Sequence, residues 1–136
     1  MTQVGIRALK QNASALVKLV VAEAETDALR AWLVAAERDP VSSDLARTEL
    51  VRAVRRAAPD RVVQARAVLD AVTLLEVSTA IFEEAGRLDP VIVRSLDAVH
   101  LAAALSLGDD LDAIVTYDDR LAEAARANGV AVVAPN

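Results

Sequence analysis

Cysteine is absent from this sequence of 136 residues. Disulfide bonds and thiolate metal sites are therefore excluded, so any bound metal ion must be held by oxygen ligands or by His100, the single histidine. A chain without cysteine also fits a reducing compartment, and we predict a cytoplasmic location.

Aromatic residues are almost as scarce, with one Trp, one Tyr and one Phe. The hydrophobic fraction of 54% is nevertheless large enough for a core, which must then be built from Leu, Val, Ile and Ala. So few aromatic rings argue against recognition of single-stranded nucleic acid by base stacking.

Basic residues are outnumbered, with 15 Lys and Arg against 20 Asp and Glu and a net charge of −5. This balance argues against binding of nucleic acid by bulk electrostatics, although carboxylates that hold metal ions would reverse the local field. No hydrophobic run approaches the roughly 18–20 residues of a membrane span, and the N-terminal segment lacks a convincing signal-peptide cleavage site. We therefore expect no contact with a membrane.

The pattern along the chain is typical of one α/β domain over residues 1–136, without linkers, low-complexity tracts or internal repeats. Helical stripes of apolar residues alternate with short β-rich runs, which indicates a parallel sheet. Strands are predicted over 41–43, 73–77, 113–116 and 130–133. Helices are predicted over 14–23, 26–38, 45–57, 60–71, 95–107 and 119–128. A further helix is predicted with Thr79 as its N-cap, and Ser14 is predicted to be the N-cap of the first helix.

Three acidic residues are candidates for chemistry, and each has an ordinary alternative. Glu49 lies at the margin of an apolar stripe, where pairing with Arg52 one turn later would make it a surface residue. Asp97 shares a helical stripe with two leucines, where a carboxylate is unfavourable unless the helix N-terminus or a cation compensates it. Asp118 stands between a strand and a helix, where an aspartate is commonly an N-cap.

Two further features have open interpretations. His100 follows Asp97 by three residues on an Ala- and Leu-rich helix, and we favour a buried hydrogen-bonding histidine. Such a histidine could orient the Asp97 carboxylate without contacting a bound ion itself. The arginine-rich stretch is predicted to be a solvated face, or else a contact for RNA phosphates or an acidic partner segment. Its members are Arg52, Arg55, Arg56, Arg61 and Arg66.

The three acids could come together in the folded protein. A parallel sheet could bring Glu49, Asp97 and Asp118 to one edge, with no nearby lysine to neutralise them. Bound Mg²⁺ or Mn²⁺ would relieve their mutual repulsion, and two such ions can hold a phosphodiester and activate water. The residues alone thus suggest a metal-dependent phosphodiesterase; the alternative is an α/β scaffold whose acids never converge.

Four segments, in their order and spacing, resemble the PIN-domain toxins called VapC: SALVKLVVAEAETDALRAWL, SSDLARTELVRAV, RSLDAVHLAAAL and IVTYDDRLAEAARANGV. The match covers nearly all of the chain from Ala13 onward and is most specific in LDAVHLA and VTYDDRL. The resemblance implies a three-layer α/β/α domain with a short parallel sheet flanked by helices. It also implies a Mg²⁺-dependent endoribonuclease that acts on RNA, forms a homodimer, binds a VapB-type antitoxin and makes no DNA contact itself.

Carried over residue by residue, the family's catalytic and metal-binding acids fall on Glu49, Asp97 and Asp118, with Asp119 at best a peripheral helper. The family's leading acid falls on Asn12, whose amide oxygen can ligate a cation but carries no charge. Metal affinity and water activation should therefore fall. Two functions follow: an endoribonuclease of reduced activity, or a catalytically impaired PIN-fold binding module that dimerises or sequesters antitoxin.

The residues before Asn12 depart from the family's pattern. VGIRALKQ places Arg7, Lys10 and Gln11 where a central buried strand would carry apolar side chains. The opening MTQVGIRALKQNAS instead resembles the start of a VapB- or Phd-type antitoxin, which suggests the hypothesis of an antitoxin start fused to a toxin body. The sequence leaves open whether residues 1–11 form the first strand, swing out or stay disordered.

Overall fold

The computed structural model describes residues 8–11, 13–35 and 39–136. Within these ranges the strands are β1 Ala8–Gln11, β2 Asp39–Ser43, β3 Thr73–Leu75, β4 Leu111–Val115 and β5 Val132–Val133. The helices are α1 Ala13–Val20, α2 Thr26–Ala35, α3 Ala46–Ala57, α4 Val62–Ala71, α5 Thr79–Arg87, α6 Ser95–Leu105 and α7 Asp119–Ala127. None of these helices is long and apolar enough to span a bilayer.

All strand pairs are parallel, in the order β3-β2-β1-β4-β5. The chain runs outward from β1 through β2 to β3, then returns to the other side of β1 for β4 and β5. The order therefore reverses between β1 and β4. In open parallel sheets, ligands bind beyond the carboxyl ends of the strands at such a reversal. The fold thus marks the edge where β2 ends at Ser43 and β4 ends at Val115.

Helices cover both faces of the sheet, as predicted. In β4, Ala113 and Val115 pack in a cluster with residues of α1 and α2. Ile114, between them in sequence, packs instead with residues of α6 and α7. Successive side chains of a strand point to opposite faces, so this alternation places a helical layer on each side. The three-layer α/β/α fold class is confirmed.

The central strand answers a question that the sequence left open. Although its sequence is polar, Ala8–Gln11 pairs with β2 on one side and with β4 on the other. Backbone hydrogen bonds to two neighbours do not depend on side-chain polarity, and the apolar residues Ile114 and Val115 of β4 stand in register with Lys10 and Gln11. Residues 1–7 lie outside the described part of the chain.

Two predicted caps are corrected. Helix α1 begins at Ala13, so Ser14 is its second residue and does not stand at the N-cap position. Helix α5 is capped by Ser78, whose hydroxyl accepts a hydrogen bond of 3.3 Å from the backbone N–H of Ile81. Thr79 is therefore the first helical residue, because the shorter preceding strand ends soon enough for Ser78 to take the extended cap conformation.

Several element ends also differ by a few residues from prediction. Strand β2 is longer because Asp39-Pro40 pairs with β1, whereas β3 and β5 are shorter. Pro59 begins a single 3₁₀ turn before α4. Helix α6 ends at Leu105, and Gly108, with a positive φ of 55°, starts a 3₁₀ turn into β4. Such ends depend on tertiary pairing more than on local propensity.

Candidate active site

Glu49 occupies the first turn of α3 and is partly buried. Its Oε1 atom accepts a hydrogen bond from Nε2 of His100 on α6. The surface interpretation, in which Arg52 pairs with Glu49, is wrong: Arg52 is exposed and makes no ion pair with a described residue. The packing of α6 against β2 brings the histidine within reach, and sequence spacing alone could not show that contact.

His100 is held from its other side by Ser43, the last residue of β2. The Ser43 Oγ and His100 Nδ1 atoms are 3.0 Å apart, and Ser43 is fully buried while His100 is 2% exposed. A carboxylate only accepts, so Nε2 carries a proton; in the neutral imidazole the Ser43 hydroxyl then donates to Nδ1. The prediction of a buried hydrogen-bonding histidine is confirmed, but its hydrogen bond goes to Glu49 and not to Asp97.

Asp97 lies in the first turn of α6 and is partly buried. Burial raises the pKa of its carboxyl, and the negative charges of Asp118 and, more weakly, Glu49 raise this pKa further. His100 and Arg94 act in the opposite direction without cancelling the increase. Both other candidate acids are therefore within electrostatic reach of Asp97.

Asp118 performs the ordinary role predicted as its alternative. It is the N-cap of α7, and its Oδ1 accepts hydrogen bonds from the backbone N–H groups of Arg120 at 2.9 Å and Leu121 at 3.3 Å. Its own backbone N–H donates to Thr116 Oγ1 at 3.0 Å, which fixes the turn after β4. Asp118 therefore has two roles: it caps α7, and its negative charge acts on the carboxyl of Asp97.

The remaining predicted residues separate into different places. Asp119 is exposed, does not contribute to the pKa shift of Asp97, and borders a different recess with Glu25 and Arg126. Asn12 lies outside the described residues, so its role stays a prediction. The five arginines of the basic stretch are all exposed, and three of them, Arg52, Arg55 and Arg56, border a recess of ≈ 240 Å³ on α3.

The charge and chemistry of the acidic group fit a hard divalent cation. Asp97 makes no hydrogen bond or ion pair with any described residue, while two like charges act on it. In residues 8–11, 13–35 and 39–136, no three Asp, Glu or His side chains lie close enough together to ligate one ion directly. Mg²⁺ commonly binds through one or two carboxylates and keeps several waters, so Asp97 and Asp118 are the residues that could hold such an ion.

Sequence reasoning missed Ser43. Its only signal is position, since it is a small polar residue at the carboxyl end of a strand beside the point where the strand order reverses. Such a residue is usually part of a turn, and its partner lies 57 positions away in sequence. Only the packing of α6 on the sheet shows that Ser43 anchors the histidine.

Comparison with known proteins places this arrangement in a family. The model of the PIN domain matches residues 12–127. Ribonuclease VapC46 of Mycobacterium tuberculosis is 45% identical over 130 residues, which is 95% of this chain and 98% of the relative. Ribonuclease VapC47 of the same organism is 40% identical over 128 residues, or 91% of this chain and 94% of the relative.

Two solved structures share the fold. The toxin VapC20 of Mycobacterium tuberculosis, which cleaves the sarcin-ricin loop, superimposes with a TM-score of 0.74 at 19% identity, over 93% of this chain and 99% of that one. A chain of VapBC2 from Rickettsia felis, bound to a promoter DNA fragment, superimposes with a TM-score of 0.67 at 14% identity, over 95% and 99%. With the family model and the sequence relatives, these observations show that the chain belongs to the PIN-domain family and is of the VapC type.

Proposed function

We propose that this chain is a metal-dependent endoribonuclease that cuts RNA phosphodiester bonds at the edge formed by β2, β4 and α6. The observation that carries the proposal is that the negative charges of Asp118 and, more weakly, Glu49 act on Asp97, a partly buried carboxylate that makes no hydrogen bond or ion pair with a described residue. The relatives named Ribonuclease VapC, at 40% and 45% identity over nearly the whole chain, support the same reaction class.

Each acid would have a distinct role. Asp97, whose carboxyl is repelled by the negative charges of Asp118 and Glu49, would be the main ligand for Mg²⁺ or Mn²⁺. Asp118 would add a second carboxylate ligand through its other oxygen, because the hydrogen bonds that cap α7 go to Oδ1. Glu49, whose Oε1 is held by His100, would contact an ion-bound water through its other oxygen. When bound, the ion would supply a nucleophilic hydroxide and stabilise the leaving oxygen.

Asn12 remains the predicted weak point. If its side chain joins the acids, the site carries one negative charge fewer than the family's pattern. Ion affinity should fall accordingly, because carboxylate count is a main determinant of divalent-ion binding. We therefore propose an active but attenuated enzyme.

The test is a cleavage assay with the purified chain, total RNA and either MgCl₂ or EDTA, followed by mapping of new 5′ ends. We expect discrete cuts that require the divalent ion and disappear in Glu49→Gln and Asp97→Asn. Glu83→Gln, which removes an exposed carboxylate on α5, is the matched control and should cut like the wild type. Cleavage that is unchanged by EDTA or by both site variants would contradict the proposal.

The second candidate function, a catalytically impaired binding module, is favoured by the identity of Asn12. The same assay separates the two, with Asn12→Asp as the informative variant. An inactive wild type together with an active Asn12→Asp would support the impaired module. An active wild type, improved severalfold by Asn12→Asp, would support the attenuated enzyme.

For partners, we propose a VapB-type antitoxin and a second copy of this chain, acting in the cytoplasm. The VapBC2 structure supports the antitoxin, because a chain of that complex shares this fold. Co-expression with a VapB-type antitoxin, followed by light scattering, should give a stable complex that contains two copies of this chain.

A further inference from the structure

A cleft beside Asp97 is used by none of the roles above. It is a cavity of ≈ 340 Å³ that lies between α7 and the loop leading from α5 into α6. Its walls combine two arginines, two acids and three apolar residues: Pro90, Ile92, Val93, Arg94, Asp97, Arg120 and Glu123. Because Asp97 forms part of the wall, any group bound in this cleft lies next to the acidic group.

The two arginines stand on different elements and face one cavity. Arg94 directly precedes α6, and Arg120 lies in the first turn of α7, two residues after Asp118. Neither guanidinium makes an ion pair with a described residue, although the chain carries a net charge of −5. Guanidinium groups bind phosphate through paired N–H donors, so the cleft offers two of them for an anion beside the acids.

The loop side of the cleft is apolar and exposed. Ile92 is 91% exposed and its neighbour Val91 is 86% exposed, while Pro90 and Val93 complete the wall. Apolar side chains exposed next to charged ones indicate a surface that covers an amphipathic ligand. A nucleotide has this character, because its base has apolar faces and its phosphate is an anion.

The loop is fixed against α7 before any ligand binds. The Asn128 side chain near the end of α7 donates hydrogen bonds to the backbone oxygens of Asp89 at 2.8 Å and Ala124 at 2.9 Å. Within the loop, the backbone N–H of Val93 donates to the oxygen of Pro90 at 3.1 Å. A wall held in this way loses little conformational entropy on binding, so the cleft is preformed.

We propose that this cleft is the subsite for one nucleotide of the RNA next to the cleaved bond. Arg94 and Arg120 hold its phosphate, and Pro90, Ile92 and Val93 pack against its base. The inference rests on the proposed ribonuclease function. The cavity volume is at the small end of the range of ligand pockets, which suits a single nucleotide and not a duplex.

The first test compares two arginines of the same helix. Arg120→Gln should raise KM for an RNA oligonucleotide spanning a mapped cut by about tenfold and leave kcat within about twofold, because it removes a phosphate contact and no acid. It should also reduce the slope of log affinity against log salt by about 0.7. Arg126→Gln, with the same charge change on α7 but outside the cleft, should match the wild type.

The base contact is tested by pairing Ile92→Ser with an oligonucleotide that lacks one base beside the cut. Each change alone should raise KM severalfold, and the two together should raise it no more than either one. If the KM increases caused by Ile92→Ser and by the missing base multiply, whichever base beside the cut is removed, the base contact is refuted. The side chain and the base would then act independently of each other.

A binding experiment without catalysis separates this inference from the proposed function. Titration of the ¹⁵N-labelled chain with AMP, GMP, CMP and UMP should shift amide resonances of residues 91–94 and 120–123, and Arg120→Gln should abolish the shifts. If the wild type cuts RNA but Arg120→Gln behaves like Arg126→Gln and no shift occurs, the subsite is refuted and the ribonuclease stands.

Nucleotide-induced shifts at the cleft in a chain that cuts no RNA would support nucleotide binding in the cleft but refute the ribonuclease, and with it the place of the cleft next to a cleaved bond. If an oligoglutamate peptide shifts these resonances and the four nucleotides do not, the cleft binds an acidic protein segment and the nucleotide subsite is refuted.

Discussion

His100 donates a hydrogen bond through Nε2 to Oε1 of Glu49, and this contact ties α6 to α3 across the candidate active site. Ser43 holds the same ring from the sheet at 3.0 Å. His100 and Ser43 therefore set the position of the Glu49 carboxylate from the interior of the protein. Glu49 acts at the site, whereas His100 and Ser43 act through Glu49 as positioning residues.

Replacement of His100 by leucine should lower kcat about tenfold, because Glu49 loses the donor that fixes its carboxylate. His100→Gln should restore part of the loss, since its side-chain amide also donates to an oxygen. Steady-state kinetics on one RNA oligonucleotide, with thermal unfolding in parallel, would measure this. Equal kcat values for the leucine and glutamine variants would contradict a positioning role.

Ser43→Ala removes one buried hydroxyl and should reduce the free energy of unfolding by about 1 kcal/mol, the usual net value of a hydrogen bond. Its effect on kcat should be smaller than that of His100→Leu, because the hydrogen bond from His100 to Glu49 remains. Urea denaturation gives the first quantity and the RNA assay the second. Exposed Ser95, the first residue of α6, offers Ser95→Ala as a control for the removal of a hydroxyl.

Asp97→Asn should stabilise the metal-free protein while it abolishes cleavage. Burial and the like charge of Asp118 raise the pKa of Asp97, so its ionised form is disfavoured in the folded state. Removing the charge should therefore raise the free energy of unfolding by roughly 0.5–1 kcal/mol for a partly solvated group. Urea denaturation with EDTA present measures the change, and a less stable Asp97→Asn would contradict it.

The same stabilisation should depend on pH. Below the ordinary Asp pKa of 3.8, Asp97 is protonated in both the folded and the unfolded states, so the variant gains nothing from the missing charge. As pH rises from 3.8 through the raised folded-state pKa, the unfolded state releases its proton first, and the wild type loses stability relative to Asp97→Asn. A difference that grows towards acid would have the wrong sign.

Divalent ions should reverse this order of stability. Mg²⁺ or Mn²⁺ that binds the folded acids adds about 1.4 kcal/mol of stability at a tenfold excess over Kd. Thermal unfolding with MgCl₂, MnCl₂ or NaCl of equal ionic strength should show a rise in Tm only with the divalent ions. The rise should be lost in Asp97→Asn and kept in Glu83→Gln.

Substitutions of Asp118 should separate its two roles. Asn and Ser are also good N-caps, so Asp118→Asn and Asp118→Ser should keep the stability of α7 but lose most cleavage. Asp118→Ala should lose cleavage and also about 1 kcal/mol of stability, because the N–H groups of Arg120 and Leu121 lose their acceptor. Equal stability of the three variants would show that the cap contributes nothing.

The sequence was most informative where chemistry depends on local position. The N-cap role of Asp118 could be predicted because a strand, an aspartate and a helix follow one another in the chain. The place of Asp97 in the first turn of α6 follows from the same local reasoning. The fold class also followed from alternating periodicities, since helical and extended segments bury different faces.

The sequence was least informative where contacts are distant. The partner of Glu49 is 51 residues away, so helical spacing favoured the wrong residue, Arg52. The conformation of the central strand was left open by the sequence, because it depends on the backbone pairing of a polar segment with two neighbouring strands. The cleft between Arg94 and Arg120 joins two helices that are separate in sequence, and no local pattern predicts it.

The position of β1 in the sheet has a consequence for biosynthesis. The first described strand, β1, pairs on one side with β4, and Ala8 is in register with Leu111, about a hundred residues later in the chain. A nascent chain that stops before β4 has one edge of its central strand open and lacks Asp118 altogether. The candidate site is therefore completed only after β4 and the start of α7 have been translated, and products truncated before them cannot carry it.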